Sequence, residues 1–185
     1  MPKIAEIEYT PNPNAKRFVL KEPLTLGIAR SFDSASQADV DPLAKELFAV
    51  EHVTSVYYID KYLTVTQDGR ASWPDLERLL AVPIRAAEAS DVQGAGVQTA
   101  VATMVPANEQ DRERLKAINA LIDERVRPAL MMDGGGLELV SLEGNKLTIH
   151  YQGACGSCPS ALAGTMAGIE GLLQTIEPDI QLVAV

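Results

Sequence analysis

Apolar residues recur along this chain in two rhythms, every second residue or every third and fourth, and the changes between them mark out the elements. Ile4, Ile7 and Tyr9, then Phe18 and Leu20, predict two strands around Thr10-Pro11-Asn12-Pro13-Asn14-Ala15. Prolines fix φ and asparagines favour turns, so the stretch between them reads as a rigid loop. Leu24, Leu26 and Ile28 alternate, but Pro23 and Gly27 interrupt them, and residues 31–37 read as loop. Asp41 and Pro42 open a short helix as N-cap and first helical residue, with Leu43, Leu47 and Phe48 facing a core and an end near Val50. Residues 53–59 and 62–66 are rich in β-branched and aromatic side chains and flank Asp60-Lys61, the pattern of a hairpin. Ser72 with Asp75 gives a capping-box signal. Leu76, Leu79, Leu80 and Ile84 then take helical spacing, with Pro83 expected to kink or end its first part.

Periodicity lapses from Ser90 onward, where Gln93-Gly94-Ala95-Gly96 and its neighbours are small and polar. It resumes with Leu115, Ile118, Ile122 and Val126, one face of an amphipathic helix whose end Pro128 should disturb. Asp133-Gly134-Gly135-Gly136 forces a turn. Its glycines are adjacent and lack the spacing of a phosphate-binding fingerprint. Residues 137–142 and 146–151 form a second hairpin around Gly144-Asn145, with Leu147 and Ile149 on one face and Lys146, Thr148 and His150 on the other. Leu162, Met166, Ile169, Leu173 and Ile176 make the cleanest helical stripe of the chain. Pro178 ends it, and residues 180–183 suggest a last strand. The expected fold is α+β in two small domains: a mixed α/β domain over 1–89, a linker over 90–107, and an α-β-β-α-β domain over 108–185.

Composition narrows the function. The chain has 185 residues, 46% of them hydrophobic, which suits globular domains. No window reaches the ~18 uninterrupted apolar residues of a membrane helix. The first residues resemble neither a signal nor a transit peptide, so the expectation is a cytoplasmic protein. A net charge of −9 without a basic patch argues against nucleic acid and anionic membrane as partners. Arg112, Arg114, Arg125 and Arg127 interleave with Asp111, Glu113, Asp123 and Glu124, as on a solvated helix face with local ion pairs.

The two cysteines, Cys155 and Cys158, stand in Gly153-Ala154-Cys155-Gly156-Ser157-Cys158-Pro159-Ser160, at a strand-to-helix junction. Two thiols are too few for a disulfide framework and point to metal or redox chemistry. Amides at a helix start favour a thiolate, here at Cys158, and thiolates bind soft metals. Three readings fit. A thiol–disulfide oxidoreductase uses such a pair, although no aromatic residue directly precedes Cys155. A structural zinc ion needs four ligands, with His150 as a conceivable third. A 4Fe–4S cluster takes four thiolates, which one chain supplies only by pairing with a second copy.

A resemblance separates the three. Residues 126–130 (Val-Arg-Pro-Ala-Leu), Asp133-Gly134-Gly135, Glu138, the loop from Gly153 to Ser160 and Gly168-Ile169-Glu170 resemble the C-terminal domain of NifU-like, Nfu-type proteins. Thr10-Pro11-Asn12-Pro13-Asn14, Asp41-Pro42-Leu43-Ala44, Leu47-Phe48 and the strand at 62–66 resemble the family's N-terminal domain. The resemblance implies a non-catalytic iron–sulfur scaffold or carrier. It implies a 4Fe–4S cluster, with 2Fe–2S left open, held by Cys155 and Cys158 of a homodimer. Assembly machinery would be the donor and apo-proteins the acceptors. Gly153, Gly156 and Pro159 would shape the loop, and the Asp133-Gly134-Gly135 turn would pack near it. The family pattern gives the first domain no cluster ligand, in keeping with its lack of cysteine.

Overall fold

The computed structural model of the chain describes residues 3–87, 109–156 and 159–185, with backbone alone for 159–163. The expected linker over 90–107 and the second thiol, Cys158, lie outside the described residues. The fold is α+β, and the chain divides into two compact units, Met1–Gln98 and Thr99–Val185.

The first unit runs β1 (Ile4–Tyr9), β2 (Ala15–Leu20), β3 (Arg30–Phe32), α1 (Ala35–Ala38), α2 (Pro42–Phe48), β4 (Val53–Ile59), β5 (Tyr62–Gln67) and α3 (Trp73–Ala86). Its strands form one antiparallel sheet in the order β1-β2-β5-β4-β3. Phe18, Phe32, Val56, Leu63 and Val65 of the sheet pack with Ala44 and Leu47 of α2 and Leu76, Leu80 and Ile84 of α3. Burying each large side chain of that set contributes about 1.5–3 kcal/mol against conformational entropy.

The Thr10–Ala15 loop is tied down as expected. The Thr10 hydroxyl bonds the carbonyls of Asn12 and Ala15, and the Trp73 indole N–H donates to the Pro13 carbonyl at 3.0 Å. Asp41 caps α2 by accepting the Ala44 N–H at 2.9 Å. The same carboxylate accepts the Tyr58 hydroxyl at 2.5 Å and pairs with buried Arg30.

Three expectations need correction here. Residues 31–37 are not all loop: β3 ends at Phe32 and α1 begins at Ala35, started by the Ser34 hydroxyl cap. Ser72 makes no side-chain cap to α3. Pro83 does not end α3, which continues to Ala86. The proline lacks only its own N–H, and its carbonyl still accepts the Ala87 N–H at 3.0 Å.

The second unit runs α4 (Glu109–Arg125), α5 (Arg127–Met132), β6 (Gly135–Glu143), β7 (Lys146–Gly153), α6 (Pro159–Leu173) and β8 (Gln181–Ala184). The sheet order is β6-β7-β8, with β8 parallel to β7 across the α6 crossover. Pro128 does more than disturb the end of α4. It splits off α5 as a separate short helix, so the unit reads α-α-β-β-α-β.

Ile118, Ile122 and Val126 pack with Leu137, Leu139, Leu147, Ile149, Ile169 and Leu173, as their spacing requires. Ile176 leaves the expected stripe: α6 ends at Leu173 and Ile176 is exposed. The Leu162 side chain lies outside the described residues. Arg114 clasps the far end of the unit, bonding both Glu177 carboxylate oxygens at 3.0 Å and the Gly144 carbonyl at 2.9 Å. The other arginines singled out in the sequence pair locally, Arg112 with Glu109 and Arg125 with Glu124 in α4, and Arg127 of α5 with Asp123.

Candidate metal centre

Two segments converge on Cys155. From one side β7 delivers the loop. Gly153 ends the strand at φ +63°, a conformation that costs glycine nothing, and turns the chain back. The Gly156 N–H donates to the Gly153 carbonyl at 3.2 Å, which closes the turn around Cys155. A Cβ at Gly156 would stand 2.9 Å from the Tyr151 carbonyl oxygen, so the glycine admits the chain's own backbone. The helix α6 then starts at Pro159, where a missing N–H is harmless.

From the other side comes the turn after α5. Gly134 takes φ +81°, and its carbonyl accepts the Ala154 N–H at 3.2 Å. Gly135 pairs with Gly153 across the hairpin. A Cβ at Gly135 would lie 2.6 Å from the Cys155 sulfur and 2.5 Å from the Gln152 carbonyl oxygen. No other residue type fits there without displacing the thiol. The expected proximity of Asp133-Gly134-Gly135 to the cysteine loop is therefore direct contact, made by Gly135. Cys155 itself is half-buried and packs against the core of the unit.

Alternation along β7 sends its polar residues to the opposite face. Gln152, 2% exposed, donates from Nε2 to the Glu138 carboxylate at 3.0 Å. His150 is the cross-strand neighbour of Glu138, with Nδ1 4.0 Å from the same carboxylate oxygen. His150, the conceivable third zinc ligand, thus stands beside Glu138. Among the described residues no three of His, Cys, Asp and Glu gather closely enough to hold a metal ion.

Tyr151 was not singled out by sequence reasoning. The signal was available: it shares the Leu147–Ile149 face of β7 and therefore points into the core. It is 4% exposed, and its hydroxyl is buried with no hydrogen-bond partner among the described residues. Burial first, and the charge of the Cys155 thiolate second, push its pKa up to about 12.

No described helix is long and apolar enough to cross a membrane. Residues 4–90 match the family described as scaffold protein Nfu/NifU N terminal, and residues 118–184 match the NifU-like domain. The Homo sapiens protein named NFU1 iron-sulfur cluster scaffold homolog, mitochondrial, is 31% identical over 180 residues, covering 95% of this chain and 69% of that protein. The Drosophila grimshawi protein of the same name is 31% identical over 183 residues, covering 96% of this chain and 60% of that protein. The chain thus spans between 60% and 69% of the length of these two relatives. Among solved structures, the NifU-like protein from Saccharomyces cerevisiae shows 22% identity and a TM-score of 0.38, covering 43% of this chain and 72% of that one. With both domain matches in order and this identity along nearly its whole length, the chain belongs to the Nfu-type, NifU-like family of iron–sulfur cluster scaffold proteins.

Proposed function

We propose that this protein carries an iron–sulfur cluster from the machinery that assembles it to apo-proteins, without catalytic turnover of its own. Cys155 and Cys158 hold the cluster as thiolates. The observation that carries the reading is the seat of Cys155: a glycine at 135 whose Cβ position the sulfur nearly occupies, on a turn tied to Ala154. Such a seat fixes one sulfur, and the other cysteine directly precedes α6 in sequence, a position at which helix amides favour a thiolate.

A four-thiolate cluster needs twice what one chain has, so the loaded form is a homodimer bridged by one 4Fe–4S cluster. The scaffold names of the relatives support the same role. Transfer follows from the same count. Acceptor thiolates replace those of the carrier one at a time, and the cluster passes without being dismantled. The first unit has no cysteine and supplies no ligand to it.

Anaerobic reconstitution with ferrous iron and sulfide tests the ligand assignment. Wild type develops thiolate-to-iron charge-transfer absorption, and Cys155→Ala does not. Full cluster assembly by Cys155→Ala would overturn the assignment.

A second reading draws on the same helix start: α6 begins at the residue after Cys158, as in a thiol–disulfide oxidoreductase. That reading predicts disulfide reduction by the metal-free monomer, and inhibition when metal binds. The carrier reading predicts neither.

A further inference from the structure

We propose that the Tyr151 hydroxyl is a hydrogen-bond donor held for sulfur at the loaded Cys155 loop, which makes Tyr151 a positioning residue for the cluster. The inference rests on the carrier reading and adds to it a residue that ligand counting does not find.

A buried hydroxyl without an acceptor is unfavourable, and nearly all such groups in native cores have a partner. Phenylalanine would fill the same space among Leu137, Ile149 and their neighbours without that cost. The hydroxyl of Tyr151 therefore calls for an acceptor, and none is present among the described residues.

The geometry points to where the acceptor belongs. Tyr151 lies two residues before Gly153, whose positive φ folds the loop back until Gly156 meets the Tyr151 carbonyl. The Tyr151 ring and Cys155 pack against the same core cluster. Glu138 follows Leu137, the cross-strand neighbour of Tyr151, but it projects from the opposite face of the sheet and takes Gln152. Among the described residues Cys155 is the group that acts electrostatically on Tyr151, and with cargo aboard it would present iron-bound sulfur, with sulfides beside it. Burial and then the neighbouring Cys155 charge favour the protonated phenol, the form that donates. Hydrogen bonds to cluster sulfurs stabilise the more reduced, more negative state and raise the reduction potential.

The test uses the full chain and Tyr151→Phe. The metal-free variant is expected to melt at or above the wild-type temperature, because a partnerless buried hydroxyl has been removed. The reconstituted variant is expected to lose iron to a chelator about tenfold faster, the effect of one hydrogen bond to a charged acceptor. Its midpoint potential is expected to move negative, a change that core packing alone would not produce.

Unchanged release with an unchanged potential would overturn the inference and leave the carrier reading intact. A metal-free variant that melts well below wild type or fails to fold would also overturn it, by showing that the hydroxyl already has a partner. Failure of wild type itself to take up iron and sulfide would remove the carrier reading, and this inference with it.

Discussion

Tyr58 in the first unit and Tyr151 in the second both carry a hydroxyl into an apolar core, and the two hydroxyls meet different surroundings. Tyr58 donates to Asp41, which also pairs with Arg30 and caps α2. Tyr151 donates to nothing among the described residues and lies near the half-buried Cys155. The Tyr58 hydroxyl, through Asp41 and Arg30, helps to lock β3, β4 and α2 together. The Tyr151 hydroxyl makes no such link and stands beside the loop where cargo would sit. The difference separates a polar group that holds a fold from one that awaits a ligand.

The largest effect should come from breaking the Asp41 network. Asp41→Ala leaves Arg30 buried without its carboxylate and removes the α2 cap, at a cost of about 3–5 kcal/mol. Trp73, the chain's single tryptophan, lies in the first unit and reports its denaturant unfolding by fluorescence. Iron and sulfide uptake by the second unit should not change. If Asp41→Ala abolished uptake while the first unit stayed folded, the division of labour between the units would be wrong.

Gly135→Ala comes next. The new methyl meets the Cys155 sulfur and a backbone carbonyl, both well inside contact distance, and the carbonyl cannot swing aside. Overpacking of this kind costs about 1–3 kcal/mol. It should also displace the sulfur enough to impair cluster assembly, read by circular dichroism melts and charge-transfer absorption on the same sample. Normal assembly by Gly135→Ala would show that the glycine seat is not needed for the site.

The smallest effect is alkaline. Tyr151 is the only tyrosine of the second unit, with its pKa raised to about 12 by burial and then by the Cys155 charge. Above the unfolded value near 10 the unfolded chain has released a proton that the native unit retains, so stability falls as pH rises from about 10 toward 12. Below about 10 the contribution is complete. Tyr58 is pushed up further still, by burial and then by the Asp41 hydrogen bond, so its loss continues beyond the pH at which that of Tyr151 levels off. Thermal melts across this range should show Tyr151→Phe flattening the limb of the second unit alone.

Periodicity placed nearly every strand and long helix, because burial of one face is what both the pattern and the fold express. It located the core of α4 at Ile118 and Ile122, the buried Val126 just beyond it, and both hairpins with their turns. It missed β3 and α1, whose three and four residues are too short to show a period. It overstated Pro83 and understated Pro128. The same missing N–H is absorbed one turn from a helix end at Pro83, and at Pro128 it stands in the first turn of α5, just past the break from α4. The candidate site was legible as the Cys155–Cys158 spacing, and the glycine turn as a neighbour of Cys155. What the chain order conceals is contact. Gly135 and Cys155 are twenty positions apart, and only the β6–β7 register, Gly135 against Gly153, brings one onto the other. The partnerless hydroxyl of Tyr151 is a property of everything around it, which no local pattern records.

The most direct test of the carrier account is the iron and acid-labile sulfide content of the anaerobically reconstituted full chain, measured together with its native mass. The account predicts a dimer with about two irons and two sulfides per chain, one four-iron cluster shared by two copies. A monomer binding a single metal ion without sulfide would contradict it.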